Sequence, residues 1–238
     1  MKKFKVVGLI SSPRYDGNTA VLVREALKGA EKGGAAVEEV FLPRCTINFC
    51  TGCFKCLADG KCCFNDDFEE VRELLYEAEG IILGSPTYCR TYNATMKNFF
   101  ERLGMFEVMT SSLGGKYFAG ISAAGSAMTA KKTAGEMASL ISSGVFKRSY
   151  VSGVLGAGFV KGMPAHEDRE ALRKARELGS KISRDIRNEK RYLLQKPFIR
   201  LVNNFFIKPQ FINYVSREKE RDTRAVYANL LQRGLLQQ

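Results

Sequence analysis

The sequence predicts an α/β fold: a doubly wound, five-stranded parallel sheet in the order 2-1-3-4-5, with a helical, basic and aromatic C-terminal extension. Two observations support it. Short unbroken apolar runs alternate with helical patterns along most of the 238 residues, and such alternation produces a parallel sheet covered on both faces. The composition, 45% hydrophobic and 26% charged, is typical of a globular domain with a sizeable core.

Each element has its own signal in the chain. The strand at 5–10 is a short apolar run, and the helix at 19–32 places Val23, Ala26 and Leu27 on one face before Gly33 ends it. The segment 65–67 reads as an N-cap with acidic residues that opens a helix to about residue 78. The other strands are predicted at 37–42, 81–83, 117–122 and 151–155, and the other helices at 94–103, from about 129, and at 167–187.

Charge and apolar patterning narrow the functional classes. No apolar run reaches the roughly 20 residues that cross a bilayer, and the N-terminal apolar stretch is too short for a signal peptide. We therefore expect a cytoplasmic protein, in which clustered cysteines bind metal or do redox work more often than they form structural disulfides. The net charge is +12, of which residues 181–238 carry +8 (13 Lys and Arg against 5 Asp and Glu), so the charge does not indicate a nucleic-acid-binding domain.

The charge distribution also suggests a division of the chain. We expect a ligand-binding domain at 1–185 with a cysteine-rich insertion at 45–63, followed by an extension at 186–238. Within the extension, residues 196–209 alternate aromatic and aliphatic with basic residues. We favour packing of this segment over the domain or against a second subunit, and contact with a membrane surface is the alternative.

Polar loops follow the strands at the predicted switch point, where ligands of such sheets bind. The first, 11–19, offers Ser12, Arg14, Asn18 and Thr19 beside a helix N-terminus, a combination suited to a phosphate monoester. An ordinary strand-to-helix turn is the alternative, and the loop matches neither a Walker A motif nor G-x-G-x-x-G.

The loops after the third and fourth strands would share that sheet edge. Pro86, Thr87 and Tyr88 combine a stiff backbone with a flat ring, suited to bordering an aromatic ligand, although a polar turn is the better explanation of this loop alone. Small residues in 122–126 would let the backbone approach a ligand closely.

Five of the seven cysteines lie in residues 49–63, where Cys50, Cys53, Cys56 and Cys62 form a C-x2-C-x2-C-x5-C pattern. Two-residue gaps let a tight loop turn several thiolates toward one centre, as in ferredoxins. Structural zinc and unliganded thiols are the alternatives, and Cys63 competes with Cys62 for the fourth position.

Other reactive residues receive ordinary interpretations. Cys45 is expected to be a small buried residue, and helix capping explains Asp66 and Asp67 better than acid–base chemistry. The single histidine, His166, is expected at the surface, so no catalytic acid, base or nucleophile is assigned.

The combined motifs resemble a known family over roughly residues 3–185. Ser12-Pro13-Arg14 with Gly17-Asn18-Thr19, Gly84 to Tyr88, and the four-cysteine pattern followed by Asp66-Asp67 resemble the NADPH-dependent FMN reductase-like proteins, and among them the iron–sulfur flavoproteins of anaerobes. Two positions depart from the family pattern: Arg90 stands where glycine is common, and Asn93 where proline is common.

The resemblance implies a flavodoxin-like fold with bound FMN. Ser12, Arg14, Asn18 and Thr19 would hold the phosphate, while a second group would border the ring system: Pro86, Thr87, Tyr88, Ser122, Ala123 and Gly125. It also makes Cys50, Cys53, Cys56 and Cys62 candidate ligands of a [4Fe–4S] cluster.

The expected function is FMN-dependent electron transfer between a carrier, ferredoxin or NAD(P)H, and an acceptor, with the cluster as second centre and a homodimer or homotetramer as the assembly. One alternative is an NAD(P)H-dependent flavin, quinone or nitro-compound reductase without a cluster. Another is a non-enzymatic electron carrier or a zinc-stabilised binding module.

Overall fold

A computed structural model describes residues 3–141, 144–159, 163–192, 195 and 197–236. Within these ranges the strands are β1 (Lys5–Ile10), β2 (Ala36–Phe41), β3 (Gly80–Tyr88), β4 (Thr91–Tyr92), β5 (Tyr117–Ala124) and β6 (Tyr150–Gly158). The helices are α1 (Asn18–Lys32), α2 (Lys55–Asp59), α3 (Phe68–Glu77), α4 (Ala94–Thr110), α5 (Ala127–Ile141), α6 (Arg169–Arg187), α7 (Pro197–Val202), α8 (Lys208–Arg217) and α9 (Arg224–Gln232).

The sheet has the order β2-β1-β3-β5-β6, with parallel pairing between these neighbours. Taken in chain order, the five parallel strands are therefore arranged 2-1-3-4-5, which confirms the predicted topology. The two-residue β4, which pairs antiparallel with β3, was not expected.

Alternate residues of the central strands face two hydrophobic cores. Val6 and Ile10 of β1 pack with α1 and α6, while Val7 and Leu9 pack with α3 and α4 on the opposite face. Because helices cover both faces, the strands read as continuous apolar runs in the sequence.

Four predicted elements were too short, including β6, which spans Tyr150–Gly158 where 151–155 was predicted. β3 continues to Tyr88 and β5 to Ala124, because their register pairs Ser85 with Ser122 and Pro86 with Ala123 beyond the apolar cores of the strands. Helix α4 continues past Leu103 to Thr110, because Phe106 and Met109 carry its buried face into a third core.

The C-terminal extension packs over the domain through α8 and α9. The large apolar side chains of the predicted segment at 196–209 are mostly exposed, among them Phe198, Phe205 and Phe206, so packing of that segment against the domain or a second subunit stays a prediction. Residues 203–207 form a π-helix between α7 and α8, and the third core joins residues of α2, α4, α8 and α9: Leu57, Phe106, Met109, Val215, Val226 and Leu230. Lys196, part of the basic and aromatic segment, lies outside the described residues. None of the helices in the described ranges is both long and apolar enough to cross a bilayer.

A buried carboxyl in α4 predicts a pH dependence of stability. Glu107 accepts a hydrogen bond from the Leu113 backbone N–H, and burial raises its pKa from 4.5 to about 7. Because the folded state favours the protonated acid, this group's contribution to stability is present below pH 4.5 and is lost as the pH rises to about 7. We expect the free energy of unfolding to fall by about 3 kcal/mol over this range. Glu107→Gln, which retains the hydrogen-bond acceptor, should remove this dependence on pH when urea unfolding is measured from pH 4.5 to 8. An unchanged slope would contradict this assignment.

Candidate functional site

The carboxyl ends of β1 and β3 are joined by buried polar residues. The Ser11 backbone N–H donates to the Gly84 carbonyl at 2.9 Å, and the Asn93 side-chain amide donates to the Ser11 carbonyl at 2.6 Å. Ser85 Oγ donates to Asn93 Oδ1 at 3.1 Å. None of Ser11, Ser85 and Asn93 was predicted as a site residue. Asn93 stands where the family commonly has proline, and it caps α4 by accepting from the Met96 N–H.

The first predicted loop lies at the N-terminus of α1. Gly17 is the N-cap, no side chain caps the helix, and no acidic residue lies in its first turn. No side chain within this turn therefore occupies its backbone N–H groups, which leaves them available to an anion. Ser12 and Thr19 are buried beside the turn, whereas Arg14 is exposed.

The Asn18 side chain forms hydrogen bonds with the segment after β6. Its amide donates to the Met163 carbonyl at 3.0 Å, and its oxygen accepts from the Ala165 N–H at 2.9 Å. Asn18 thus ties the segment after β6 to the start of α1, so its direct contribution here is to position this loop.

The predicted ring-side residues lie at the same edge, within β3 and β5 except for Gly125, which follows β5. Thr87 Oγ1 is 2.9 Å from Ser122 Oγ and donates to Thr133 Oγ1 at 3.0 Å, so its hydroxyl links β3, β5 and α5. Pro86 and Ala123 are paired neighbours and half-buried. Tyr88 is 51% exposed and Gly125 is exposed, with open space on the side where a Cβ would stand.

The β3–β4 hairpin turns through two residues in the left-handed region, Cys89 at φ 47° and Arg90 at φ 70°. This conformation disfavours residues with a Cβ and explains why glycine suits position 90. We expect Arg90→Gly to raise the free energy of unfolding by about 1 kcal/mol, measured by urea denaturation. Arg14→Gly, in an exposed loop of the same edge, is the control and should not raise the free energy of unfolding. A lower free energy of unfolding in R90G would contradict the backbone strain at Arg90.

The cysteine segment surrounds a cavity of about 40 Å³. Its lining includes five cysteines: Cys50, Cys53, Cys56, Cys62 and Cys63. Cys50, Cys53 and Cys63 are exposed and Cys56 and Cys62 are half-buried, so the cavity opens to solvent on one side. The cavity therefore unites the four predicted ligands with the competing fifth thiol.

The predicted ligands are close enough to influence one another. Burial, followed by the negative charges of Cys62, Cys53 and Cys50, raises the pKa of the Cys56 thiol to about 11. Cys53 Sγ lies 3.6 Å from Cys63 Sγ, and all seven cysteines are free thiols. Cys45 packs against the α3–α4 core, as expected, but is only half-buried rather than buried.

A buried ion pair holds the two ends of the cysteine segment together. Arg102 Nη1 and Nη2 donate to the two Asp66 oxygens at 2.8 and 3.0 Å, with both side chains essentially inaccessible to solvent. Asp66 also accepts from the Asn48 backbone and side-chain N–H groups, both at 2.9 Å.

Capping was therefore an incomplete explanation of the two aspartates. Asp66 Oδ1 does accept from the Phe68 N–H in the first turn of α3, but Asp67 caps no helix N–H and instead accepts from the Thr46 N–H. No local pattern could indicate Arg102, because it lies 36 residues from Asp66.

Helix α4 connects the two candidate sites. Its N-cap Asn93 belongs to the polar junction of β1 and β3, and farther along Asn98 donates to the Ile47 carbonyl and Arg102 to the Asn48 carbonyl. The nine residues from 93 to 102 correspond to roughly 14 Å of helix. One rigid element therefore sets the spacing between the sheet edge and the cysteine cavity.

No three His, Cys, Asp or Glu side chains among the described residues converge on a position for a single metal ion. In a four-iron cluster each iron takes its own thiolate, so the ligands surround a volume. The donor set of the cavity is the one that such a cluster uses.

Comparisons with known proteins agree with this architecture. Residues 4–154 match the family described as NADPH-dependent FMN reductase. An iron-sulfur flavoprotein from Archaeoglobus fulgidus is 34% identical over 209 residues, covering 84% of this chain and 92% of that protein. A second iron-sulfur flavoprotein, from Methanocaldococcus jannaschii, is 43% identical over 98 residues, covering 41% of this chain and 51% of its own.

Among solved structures, the NAD(P)H:quinone oxidoreductase from Methanothermobacter marburgensis is similar with a TM-score of 0.59 at 17% identity, covering 75% of this chain and 96% of that one. Identity this low supports the flavodoxin-like fold alone.

Proposed function

The chain belongs to the NADPH-dependent FMN reductase family and is an FMN-dependent oxidoreductase, and we propose that it also carries a [4Fe–4S] cluster on Cys50, Cys53, Cys56 and Cys62. One observation carries the proposal: these four thiols line a single cavity against α4, the helix that begins at the sheet edge where the predicted FMN-binding residues lie. FMN exchanges electrons in pairs or singly, and a cluster exchanges them singly. The protein positions the two groups and sets their electrostatic environment.

The residues at the sheet edge fit a mononucleotide. The uncapped N-terminus of α1, the buried hydroxyls of Ser12 and Thr19, and the exposed Arg14 would hold the phosphate. Asn18 would act through the loop that it fixes.

Two layers at the same edge would border the ring system. Pro86 and Tyr88 come from β3, and Ala123 and Gly125 from β5 and the turn after it. The Thr87 and Ser122 hydroxyls would hold these strands in register, because they bond to each other.

The electron donor is proposed as NAD(P)H or a reduced carrier such as ferredoxin, and the assembly as a homodimer or homotetramer. The exposed Phe49 and Phe54 beside the open side of the cysteine cavity support contact with a second protein there, since exposed aromatic residues commonly mark interfaces.

Anaerobic purification followed by absorption spectroscopy and measurement of FMN, iron and sulfide tests the proposal. We expect FMN together with four iron and four sulfide per chain. FMN without iron would leave a flavin, quinone or nitro-compound reductase, and zinc without flavin would leave a zinc-stabilised module; either result contradicts the cluster.

A further inference from the structure

We propose that the C-terminal extension is part of the cysteine site, with α9 acting as a clamp that holds α2 in its ligand-presenting position. This inference rests on the proposed function. Helix α2 carries Cys56, follows Cys53 closely and ends just before Cys62, so its placement sets the geometry of three of the four proposed ligands.

Helix α2 needs support from outside. It has five residues, no side-chain N-cap, and left-handed residues at both ends, Phe54 at φ 57° and Gly60 at φ 75°. Isolated helices of this length are unstable in water, so packing must fix it.

Helix α9 supplies much of that packing. Leu57 of α2 is 3% exposed and lies in the third core with Val226 and Leu230, both fully buried, and Cys56 packs against the same core. At the end of α2, a Cβ on Gly60 would stand 3.3 Å from the Ala225 Cβ, so the two helices approach closely at that point.

The clamp is anchored at both ends. Arg233, just after α9, donates to the Thr110 and Ser111 carbonyls at 2.6 and 2.8 Å, where cationic groups stabilise the end of α4. At its start, Arg224 pairs with Asp59 at 3.2 Å. Helix α4 also carries Arg102, which binds Asn48 and Asp66. Helix α9 therefore contacts both α2, which carries Cys56, and α4.

Coupling of this kind is reciprocal. If docked α9 favours the ligand-presenting arrangement of α2, then an occupied cysteine site must favour docked α9 by the same factor. Weakening α9 should therefore speed the release of iron, and loading iron should protect α9.

Three matched leucine-to-alanine variants test the clamp. We expect Leu230→Ala to release iron to a chelator about tenfold faster than the parent protein, at unchanged FMN content. Leu178→Ala truncates a buried leucine of α6 in another core, and Leu201→Ala an exposed leucine of α7. Both should release iron at the parent rate, although Leu178→Ala should lower the stability of the fold.

Each result decides between explanations. Equal release by Leu230→Ala and Leu178→Ala, or loss of FMN along with iron, would reduce α9 to a general structural role and overturn the clamp. A parent protein without iron would contradict both the proposed function and the clamp. If the parent protein binds iron and Leu230→Ala releases it at the parent rate, the result contradicts the clamp alone.

Trypsin digestion of the parent protein gives a test that needs no variant. Loaded with iron, it should be cleaved more slowly at the basic residues around the start of α9, Arg217, Lys219, Arg221 and Arg224, than the iron-free protein. Equal cleavage in the two forms would overturn the proposal.

Discussion

Replacing Cys53 with alanine is expected to abolish the iron absorption while the flavin absorption persists. Cys53 is one of four thiols that we assign to the cluster, and a four-iron cluster that loses one thiolate loses a ligand to one iron. The proposed FMN contacts lie at the sheet edge, at the other end of this stretch of α4, and include no cysteine. Iron, sulfide and FMN analysis of anaerobically purified protein measures both halves of the expectation.

Two further cysteine variants sharpen the result. Cys45→Ala is the matched control, since Cys45 packs against the α3–α4 core outside the cavity, and it should retain both cofactors. Cys63→Ala decides the fourth position, because Cys63 lines the same cavity and its sulfur lies 3.6 Å from that of Cys53. If Cys63→Ala retains iron, Cys62 is the fourth ligand; if it loses iron, Cys63 is the fourth ligand.

Loss of FMN from Cys53→Ala would contradict the arrangement of two separate sites. Full retention of iron would exclude Cys53 as a ligand.

The sheet was predictable because its signals are local. The run at 5–10 matches β1 to the residue, and the alternation of strands with helices yields the observed order of the five parallel strands. The cysteine spacing confines Cys50, Cys53 and Cys56 to one short segment, and all three line one cavity, but their role as ligands stays a prediction.

The sequence did not show how distant side chains pair. Thr87 was expected beside a ring, but its hydroxyl bonds with Ser122 and Thr133, which are 35 and 46 residues away. Asn18 was expected on a phosphate, but its side chain reaches across 145 residues to the Met163 carbonyl. Both residue types form hydrogen bonds with many partners, so their composition and spacing cannot specify which partner the fold provides.

The ion pair between Asp66 and Arg102 leads to the second large prediction. Arg102→Met is expected to lower the free energy of unfolding by about 3–5 kcal/mol, because it leaves the Asp66 carboxylate buried without its cation. The Arg102 guanidinium also lies 4.5 Å from the centre of the Phe68 ring, so packing is lost with the charge. Arg173→Met is the control: its pairs with Glu170 and Glu177 are exposed, so the free energy of unfolding should change far less than in Arg102→Met.

The same pair predicts how stability responds to acid. Burial alone would raise the pKa of Asp66, but the Arg102 guanidinium and the Asn48 N–H groups outweigh burial and hold that pKa well below its usual range. The contribution of ionised Asp66 to the stability of the fold is therefore complete above the unfolded-state pKa of about 3.9, and it is lost as the pH falls toward the folded-state pKa. Urea unfolding of the parent protein and Asp66→Asn from pH 2 to 6 should show a slope below pH 4 that is smaller in the variant. Identical slopes would mean that the pKa of Asp66 is not lowered in the folded state and would contradict the ion pair, leaving the cysteine segment held by the Arg102 contact with the Asn48 carbonyl and the Asn98 contact with the Ile47 carbonyl.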